Sequence, residues 1–345
     1  MATTSPKLRI LLSNSHDPWF NIATEDWIFR EMDPAVQTLY LWQNQHTVVI
    51  GRNQNPWTEC NLPKMEHDGV KLARRFSGGG AVYHDLGNTC FTFLSPRDGY
   101  DRATNSKIIL NAIERGFGIK AEASGRNDLI VRAEDGGEKK FSGSAFRETR
   151  DRAFHHGTVL MSVDLGALSN YLTPHPKKML SKGRTSVRAR VMNLNELAPS
   201  ISHEMLVPAI IESFCAHYGS KVEAEILNPT NLAKLPGLQE RYEHMSSWEW
   251  RFGHAPQFQQ QLNEYLSWGF VDVFLDTEHA KLERVEVYSD SLFPSLIEAL
   301  QASLQGKAYS KDGIRQACAE ARLKVSEYDN EILEFENWLL TQIEV

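Results

Sequence analysis

Arg74-Arg75-Phe76-Ser77-Gly78-Gly79-Gly80-Ala81-Val82-Tyr83-His84-Asp85 places a basic pair, a serine and three successive glycines ahead of a short alternating apolar run. Glycine loses more conformational freedom on ordering than any other residue. Three in succession mark a place where the backbone turns sharply or lies close against a neighbour. Backbone N–H groups in such turns form concave nests that hold phosphate, and a flanking guanidinium adds fork-shaped bonds to it. The alternative is a tight hairpin turn with both arginines on a solvated face.

The flanks decide between loop types. Residues 70–76 read as a strand entering the glycines, and residues 81–84 as a strand leaving them. A nucleotide P-loop or a Rossmann turn opens a helix instead, and no Gly-Lys-Ser/Thr follows here. Upstream, residues 8–12 read as a strand and residues 22–32 as a helix closed by Pro34. Residues 38–42 and 47–50, rich in β-branched and aromatic side chains, read as two strands of a hairpin around 43–46. A short helix is expected at 62–68. Downstream, residues 89–94 alternate with period two, and residues 105–117 carry apolar side chains at helical spacing. Residues 127–131 and 139–145 read as a hairpin around Asp135-Gly136. A strand at 154–161 and a helix at 165–172 follow.

Residues 174–190 hold six Lys or Arg and read as a mobile basic surface loop. A helix at 203–218 comes next, and the aromatic-rich 245–252 looks like a boundary. Beyond it, 268–276 and 281–288 read as a hairpin, with helices at 294–304, 311–321 and 330–343. The fold class expected is α+β: a large mixed-sheet domain at 1–249, a linker at 250–257, and a small α+β domain at 258–345.

The totals agree with an ordinary globular chain. Its 345 residues suit about two domains. A net charge of −7 disfavours a nucleic-acid-coating protein. The four cysteines, Cys60, Cys90, Cys215 and Cys318, are widely spaced, without metal-ligand spacing or a secreted disulfide framework. No apolar run reaches membrane-spanning length, and the first residues lack a signal-peptide pattern. A cytoplasmic, membrane-free protein is expected.

Two further groups of residues carry chemistry. On an alternating hairpin, Lys139 and Lys140 face opposite sides. One of them can then enter a cleft beside Ser142-Gly143-Ser144, bridging two anions as charge develops; the other reading is a pair of surface lysines. Asp128, on the partner strand, would hold Lys140 or a Mg²⁺ ion, or cap the strand end. His155 and His156 point opposite ways on a strand, which argues against a joint metal site.

These segments together resemble the lipoate–protein ligases. The signature is Arg74-Arg75-x-Ser77-Gly78-Gly79-Gly80-Ala81-Val82-x-His84-Asp85-x-Gly87-Asn88. It is followed by Gly125-Arg126-Asn127-Asp128, Lys140-x-Ser142-Gly143-Ser144-Ala145 and His155-His156-Gly157-Thr158. The segments from Thr185-Ser186-Val187-Arg188 to Asn193-Leu194 extend the match. Asp17-Pro18-Trp19-Phe20-Asn21 and Ser247-Trp248-Glu249-Trp250 resemble the bacterial A type.

The resemblance implies the fold shared with biotin ligases and a two-step reaction. Lipoate attacks Mg²⁺·ATP to give lipoyl-adenylate and pyrophosphate, and the lipoyl group then passes to a lysine. It implies that Arg75, Gly80, Ala81, Val82 and Tyr83 contact ATP and that Lys140 contacts both ATP and lipoate as the catalytic residue. Ile22, His84, His156 and Thr158 would line the lipoate pocket. The implied partners are lipoyl domains of 2-oxoacid dehydrogenase E2 subunits and the glycine cleavage H protein, met by a monomer. Rival readings are a transferase using preformed lipoyl-adenylate, a cysteine-thioester acyl transferase, and a non-catalytic carrier-binding module.

Overall fold

The computed structural model describes residues 6–125, 127–133, 136–172, 191–252, 260–278 and 281–343. Its largest element is an eight-stranded mixed sheet with strand order β11-β1-β2-β6-β10-β9-β8-β7. The strands are β1 (Lys7–Ser13), β2 (Val36–Trp42), β6 (Asn88–Pro96), β7 (Glu122–Ser124), β8 (Asp128–Arg132), β9 (Glu138–Glu148), β10 (Arg152–Leu160) and β11 (Ala224–Leu227). The β11-β1-β2 edge is parallel, and from β2 onward the pairs are antiparallel.

Both faces of the central strands are buried, so those strands read as nearly continuous apolar runs. Alternation sorts the side chains. Leu39, Leu41, Phe91 and Phe93 join one core with α4 (Arg102–Phe117) and α6 (His203–Tyr218). Tyr40, Trp42, Cys90 and Leu94 join another on the opposite face, with α1 (Pro18–Glu31) and α7 (Leu238–Ser246). Asp17 caps α1 by accepting from the Trp19 amide, and Pro18 occupies the first turn, where its missing N–H costs nothing.

A second sheet, order β4-β3-β5, carries the glycine loop. Strand β3 (Thr47–Ile50) pairs parallel with β4 (Lys71–Arg74) and antiparallel with β5 (Val82–His84). This corrects the hairpin expected at 38–50. Strands β2 and β3 belong to different sheets and do not pair, because each finds its partners far along the chain. Two short helices, α2 (Pro56–Glu59) and α3 (Leu62–His67), link β3 to β4, and α5 (Leu165–Tyr171) packs against the sheet.

The C-terminal residues form an antiparallel sheet of β12 (Gln260–Leu266), β13 (Gly269–Glu278) and β14 (Lys281–Ser289). Helices α9 (Pro294–Leu304), α10 (Lys311–Lys324) and α11 (Asp329–Thr341) build a separate core on it, around Val271, Val273, Leu300, Ile314 and Phe335. The α+β class and the small C-terminal unit are thus as expected. The part of the expected linker that is described, residues 250–252, closes helix α8 (Trp248–Phe252). That helix is docked: Trp250 Nε1 donates to the Arg74 carbonyl at 2.9 Å. The expected basic loop at 174–190 lies outside the described residues. Among those described, no helix is long and apolar enough to cross a membrane.

Candidate functional site

The glycine loop leaves β4, passes the end of β3 and returns as β5. Both arginines at its start are buried, 7% exposed each. Neither lies on a solvated face, and both guanidiniums donate to backbone carbonyls. Arg74 donates to five carbonyls: Gly51, Arg52 and Gln54 from Nη1, Trp250 from Nε and Arg251 from Nη2. Arg75 donates from Nη2 to the Gly78 and Gly80 carbonyls at 2.7 and 2.8 Å, and from Nη1 to Val49. Buried carbonyls of an irregular loop need donors, and the two guanidiniums supply them. Burial pulls both arginines down to about 10.

The loop is tightly seated. Gly79 has φ +91°, the left-handed region that a side chain disfavours. A Cβ on Gly51 would sit 2.3 Å from the Gly79 carbonyl oxygen, so two backbones meet there without room for side chains. The C-terminal unit covers the same loop. Gly79 N–H donates to the Ser291 carbonyl at 2.8 Å, and Ser289 N–H donates to the Asn53 carbonyl at 2.6 Å. Arg52 pairs with Glu298 at 3.1 Å.

Lys140 lies on β9, and its ammonium is 2.6 Å from Asp128 Oδ1 on β8. Both side chains are about one-third exposed, 33% and 34%. The β8–β9 ladder carries a bulge between Leu129 and Ile130. Five residues further along β9, Ala145 Cβ lies 4.0 Å from where a Cβ would stand on Gly79. One strand therefore spans from the glycine loop to Lys140, roughly 16 Å at strand rise. Leu172 bridges to Cys60, and Val191 bridges to Lys140.

Other expected residues are placed as follows. Tyr83 packs its ring on Tyr171, centroids 5.6 Å apart, and pairs across the ladder with Val48; Ala81 and Val82 are half-buried. Ile22 is buried on α1. Thr158 Oγ1 approaches the Gly143 amide and carbonyl at 3.4 Å. His84 is buried, with Nδ1 3.2 Å from Asn44 Nδ2. Burial first, then Arg75 and His156, push it down to about 3. His155 and His156 do face opposite ways. His155 meets the Phe91 ring edge-on at 5.9 Å, while His156 Nδ1 reaches Glu25 Oε1 at 2.8 Å.

Glu25 was not singled out in the sequence, although a signal existed. Glu25-Asp26 is an acidic pair on the helix, flanked by the apolar Ile22 and Ala23 on one side and Trp27 and Ile28 on the other. Both carboxylates are buried, 2% and 4% exposed. Asp26 pairs with Arg30 at 2.7 Å and with Arg147 and Arg241 at 3.5 Å. Glu25 binds His156 and accepts from Thr92 Oγ1 at 2.6 Å.

Among the described residues no group of three or more His, Cys, Asp or Glu could hold a metal ion. Cys90 is 1% exposed, and burial pushes its thiol well above the usual range. A thiolate nucleophile needs the opposite surroundings.

The lipoyl protein ligase A/B catalytic domain family matches residues 17–215, and the bacterial lipoate protein ligase C-terminus family matches residues 255–339. A lipoate-protein ligase A of Bdellovibrio bacteriovorus is 51% identical over 339 residues, covering 98% of this chain and 99% of that protein. The crystal structure of Plasmodium falciparum LipL1 in complex with lipoate superposes with a TM-score of 0.85 at 32% identity, covering 97% and 99% of the two chains. A lipoate-protein ligase A bound with ATP superposes at 0.60 and 25% identity, covering 72% of this chain and 99% of that one. Sequence, both segments of the chain and fold agree: this chain belongs to the lipoate–protein ligase A family.

Proposed function

We infer that the protein is an ATP-dependent lipoate–protein ligase. Lipoate and ATP are its substrates. The lipoate carboxylate attacks the α-phosphorus, pyrophosphate leaves, and the acyl group of lipoyl-adenylate passes to a lysine ε-amine with release of AMP. The observation that carries this reading is Lys140. It is an ammonium about one-third exposed, on the strand that also touches the glycine loop, and its partner, Asp128, can be exchanged for a substrate anion.

The first step needs two anions held in line more than it needs a covalent nucleophile. Lys140 would lie between the acyl carboxylate and the α-phosphate. Gly80, Ala81, Val82 and the Tyr83 backbone would hold the nucleotide, with Arg75 shaping their loop. Ile22, His84, His156 and Thr158 would line the lipoate and adenylate pocket. Mg²⁺ would arrive with ATP, its shell made mainly of phosphate oxygens and water, with Asp128 as the nearby carboxylate. The acceptor amine, with an ordinary pKa of about 10.4, must lose a proton to attack, and Asp128 is the candidate base.

The acceptors we propose are lipoyl domains of 2-oxoacid dehydrogenase E2 subunits and the glycine cleavage H protein, modified by a cytoplasmic monomer. The test is lipoate-dependent exchange of labelled pyrophosphate into ATP. Exchange is expected. Folded protein that transfers from synthetic lipoyl-adenylate but shows no exchange would be a transferase, not a ligase.

A further inference from the structure

The strand that carries Lys140 breaks its alternation, and the register shows what the break achieves. Across the β8–β9 ladder Asp128 stands opposite Gly143, Leu129 opposite Ser142, Ile130 opposite Lys140 and Val131 opposite Lys139. Directly opposed residues share a face of the sheet. Asp128 and Ile130, two apart on β8, lie on one face, so Gly143 and Lys140 lie on it with them. In a regular strand, residues three apart would point to opposite faces. The extra residue at the bulge is Phe141. It is fully buried, in the core that holds Leu129 and Val131 on the other side of the sheet. Lys140, Gly143 and Ala145 therefore form one row, and Ala145 ends it against Gly79.

Within that row the lysine lies back over Gly143. A Cβ on Gly143 would stand 2.8 Å from Lys140 Nζ and 2.9 Å from its Cε, closer than real Cβ atoms come to a neighbour. Among the described residues, no other atom beyond the adjoining residues lies within 4 Å of that point. The side chain thus runs along the strand, and its ammonium sits level with residue 143, roughly 7 Å at strand rise from Ala145. Asp128, opposite Gly143, meets it there at 2.6 Å.

We propose that Gly143 is a positioning residue for Lys140. The space left by its missing Cβ is the seat over which the lysine passes from Asp128 to the reacting anions, and the bulge at Phe141 brings seat and lysine onto one face. This deepens the ligase reading and rests on it for the anions that Lys140 bridges. Gly143→Ala should leave the fold alone. Its φ lies outside the left-handed region, and the only obstacle to a methyl group is the end of a flexible side chain.

The experiment is a double-mutant cycle of Gly143→Ala and Lys140→Ala. The urea midpoint of Gly143→Ala should not fall, because alanine restricts the unfolded chain more than glycine does. In pyrophosphate exchange its kcat should drop about tenfold to a hundredfold, as for a group misplaced by about 1 Å, with KM for ATP and for lipoate each within about threefold. Calorimetry with a lipoyl-adenylate analogue, its phosphate replaced by a sulfamate, closes the cycle. Gly143→Ala should weaken binding about fivefold or more by itself, and less than about twofold when residue 140 is already alanine. Equal weakening in both backgrounds would mean that the ligand itself needs the space, and overturns the proposal. So does a lowered midpoint, a kcat within about twofold of the unaltered protein, or a KM that rises as much as kcat falls.

One further measurement needs no ligand. Acetylation of Lys140, followed by mass spectrometry, should run at least about threefold faster in Gly143→Ala, because the displaced ammonium loses the carboxylate that holds its proton. An unchanged rate overturns the proposal. If unaltered protein neither exchanges pyrophosphate nor binds the analogue, the ligase reading fails, while the acetylation rates still decide whether Gly143 seats Lys140.

Discussion

Lys140 and Asp128 face each other across the β8–β9 ladder, ammonium to carboxylate at 2.6 Å, beside the bulge that interrupts strict alternation. The pair gives the lysine a resting partner, which the proposed mechanism exchanges for a substrate anion. Lys140→Ala should abolish adenylate formation, a loss of at least about a hundredfold for an electrostatic contact made in the transition state. Lys139→Ala should cost little. Equal losses in pyrophosphate exchange would refute the assignment of Lys140. Asp128→Asn should fall between the two.

Arg74 holds five carbonyls from the β3–α2 connection and helix α8 in one guanidinium. Arg74→Ala leaves buried acceptors unsatisfied, at about 1–3 kcal/mol each where water cannot reach. A loss of unfolding free energy on the order of 3–5 kcal/mol is expected from urea denaturation. A change below about 1 kcal/mol would mean that water replaces the guanidinium.

A Cβ on Gly78 would stand 2.1 Å from the Ser291 carbonyl oxygen and 2.8 Å from Leu292 Cα. Gly78→Ala should therefore push the C-terminal unit off the loop, while each separate core stays intact. Faster hydrogen exchange at the Gly79 and Ser289 amides, which bridge the loop region and the C-terminal unit, with unchanged far-ultraviolet circular dichroism, is the expected readout.

His84 and His155 are both held down to about 3 by burial. A folded-state pKa below the unfolded value of about 6.5 means that the unfolded chain binds more protons in between. The stability from keeping each ring neutral is therefore complete above about pH 6.5 and is lost as pH falls towards 3. Each ring contributes a loss on the order of 2 kcal/mol by pH 5. Asp272 has the opposite sign: burial raises it to about 6, so it favours the fold as pH falls from about 6 to 4. The histidines outweigh it two to one. His155→Phe should flatten the acid limb of a urea-midpoint titration by about one proton.

Cys60, Cys90 and Cys318 are buried, and Cys215 is partly exposed. Alkylation of native protein should label Cys215 alone and leave pyrophosphate exchange intact. Cys90→Ser should also keep exchange. Loss of activity in either experiment would revive a thioester route.

Helix ends were legible in the sequence where the stop chemistry is local. Helix α6 runs His203–Tyr218 as expected, ended by Gly219 at φ +67°. Helix α9 begins at Pro294, suited to a first turn. Strand partners were not legible. The aromatic run at 38–42 gives no sign that its neighbours are residues 8–12 and 90–94 rather than 47–50. Strand β11 was missed because Ala224-Glu225-Ile226 is exposed and lacks apolar alternation. At the site, residue type pointed to Lys140 and the glycines. It did not show that Arg74 and Arg75 would turn to carbonyls, because the demand comes from a loop geometry that only the folded backbone defines.

Strand β1 is among the first residues of the chain, yet its outer neighbour in the sheet is β11, Ala224–Leu227. On a ribosome, β1 and β2 would emerge early and wait with one edge open until more than two hundred residues had followed. An unpaired parallel edge is a template for wrong pairing. Helix α7, which packs on α1, and Trp250, which locks to Arg74, come later still. A chain cut at residue 215, where the catalytic-domain match ends, would carry the glycine loop and Lys140 but would be held in its half-built, aggregation-prone form.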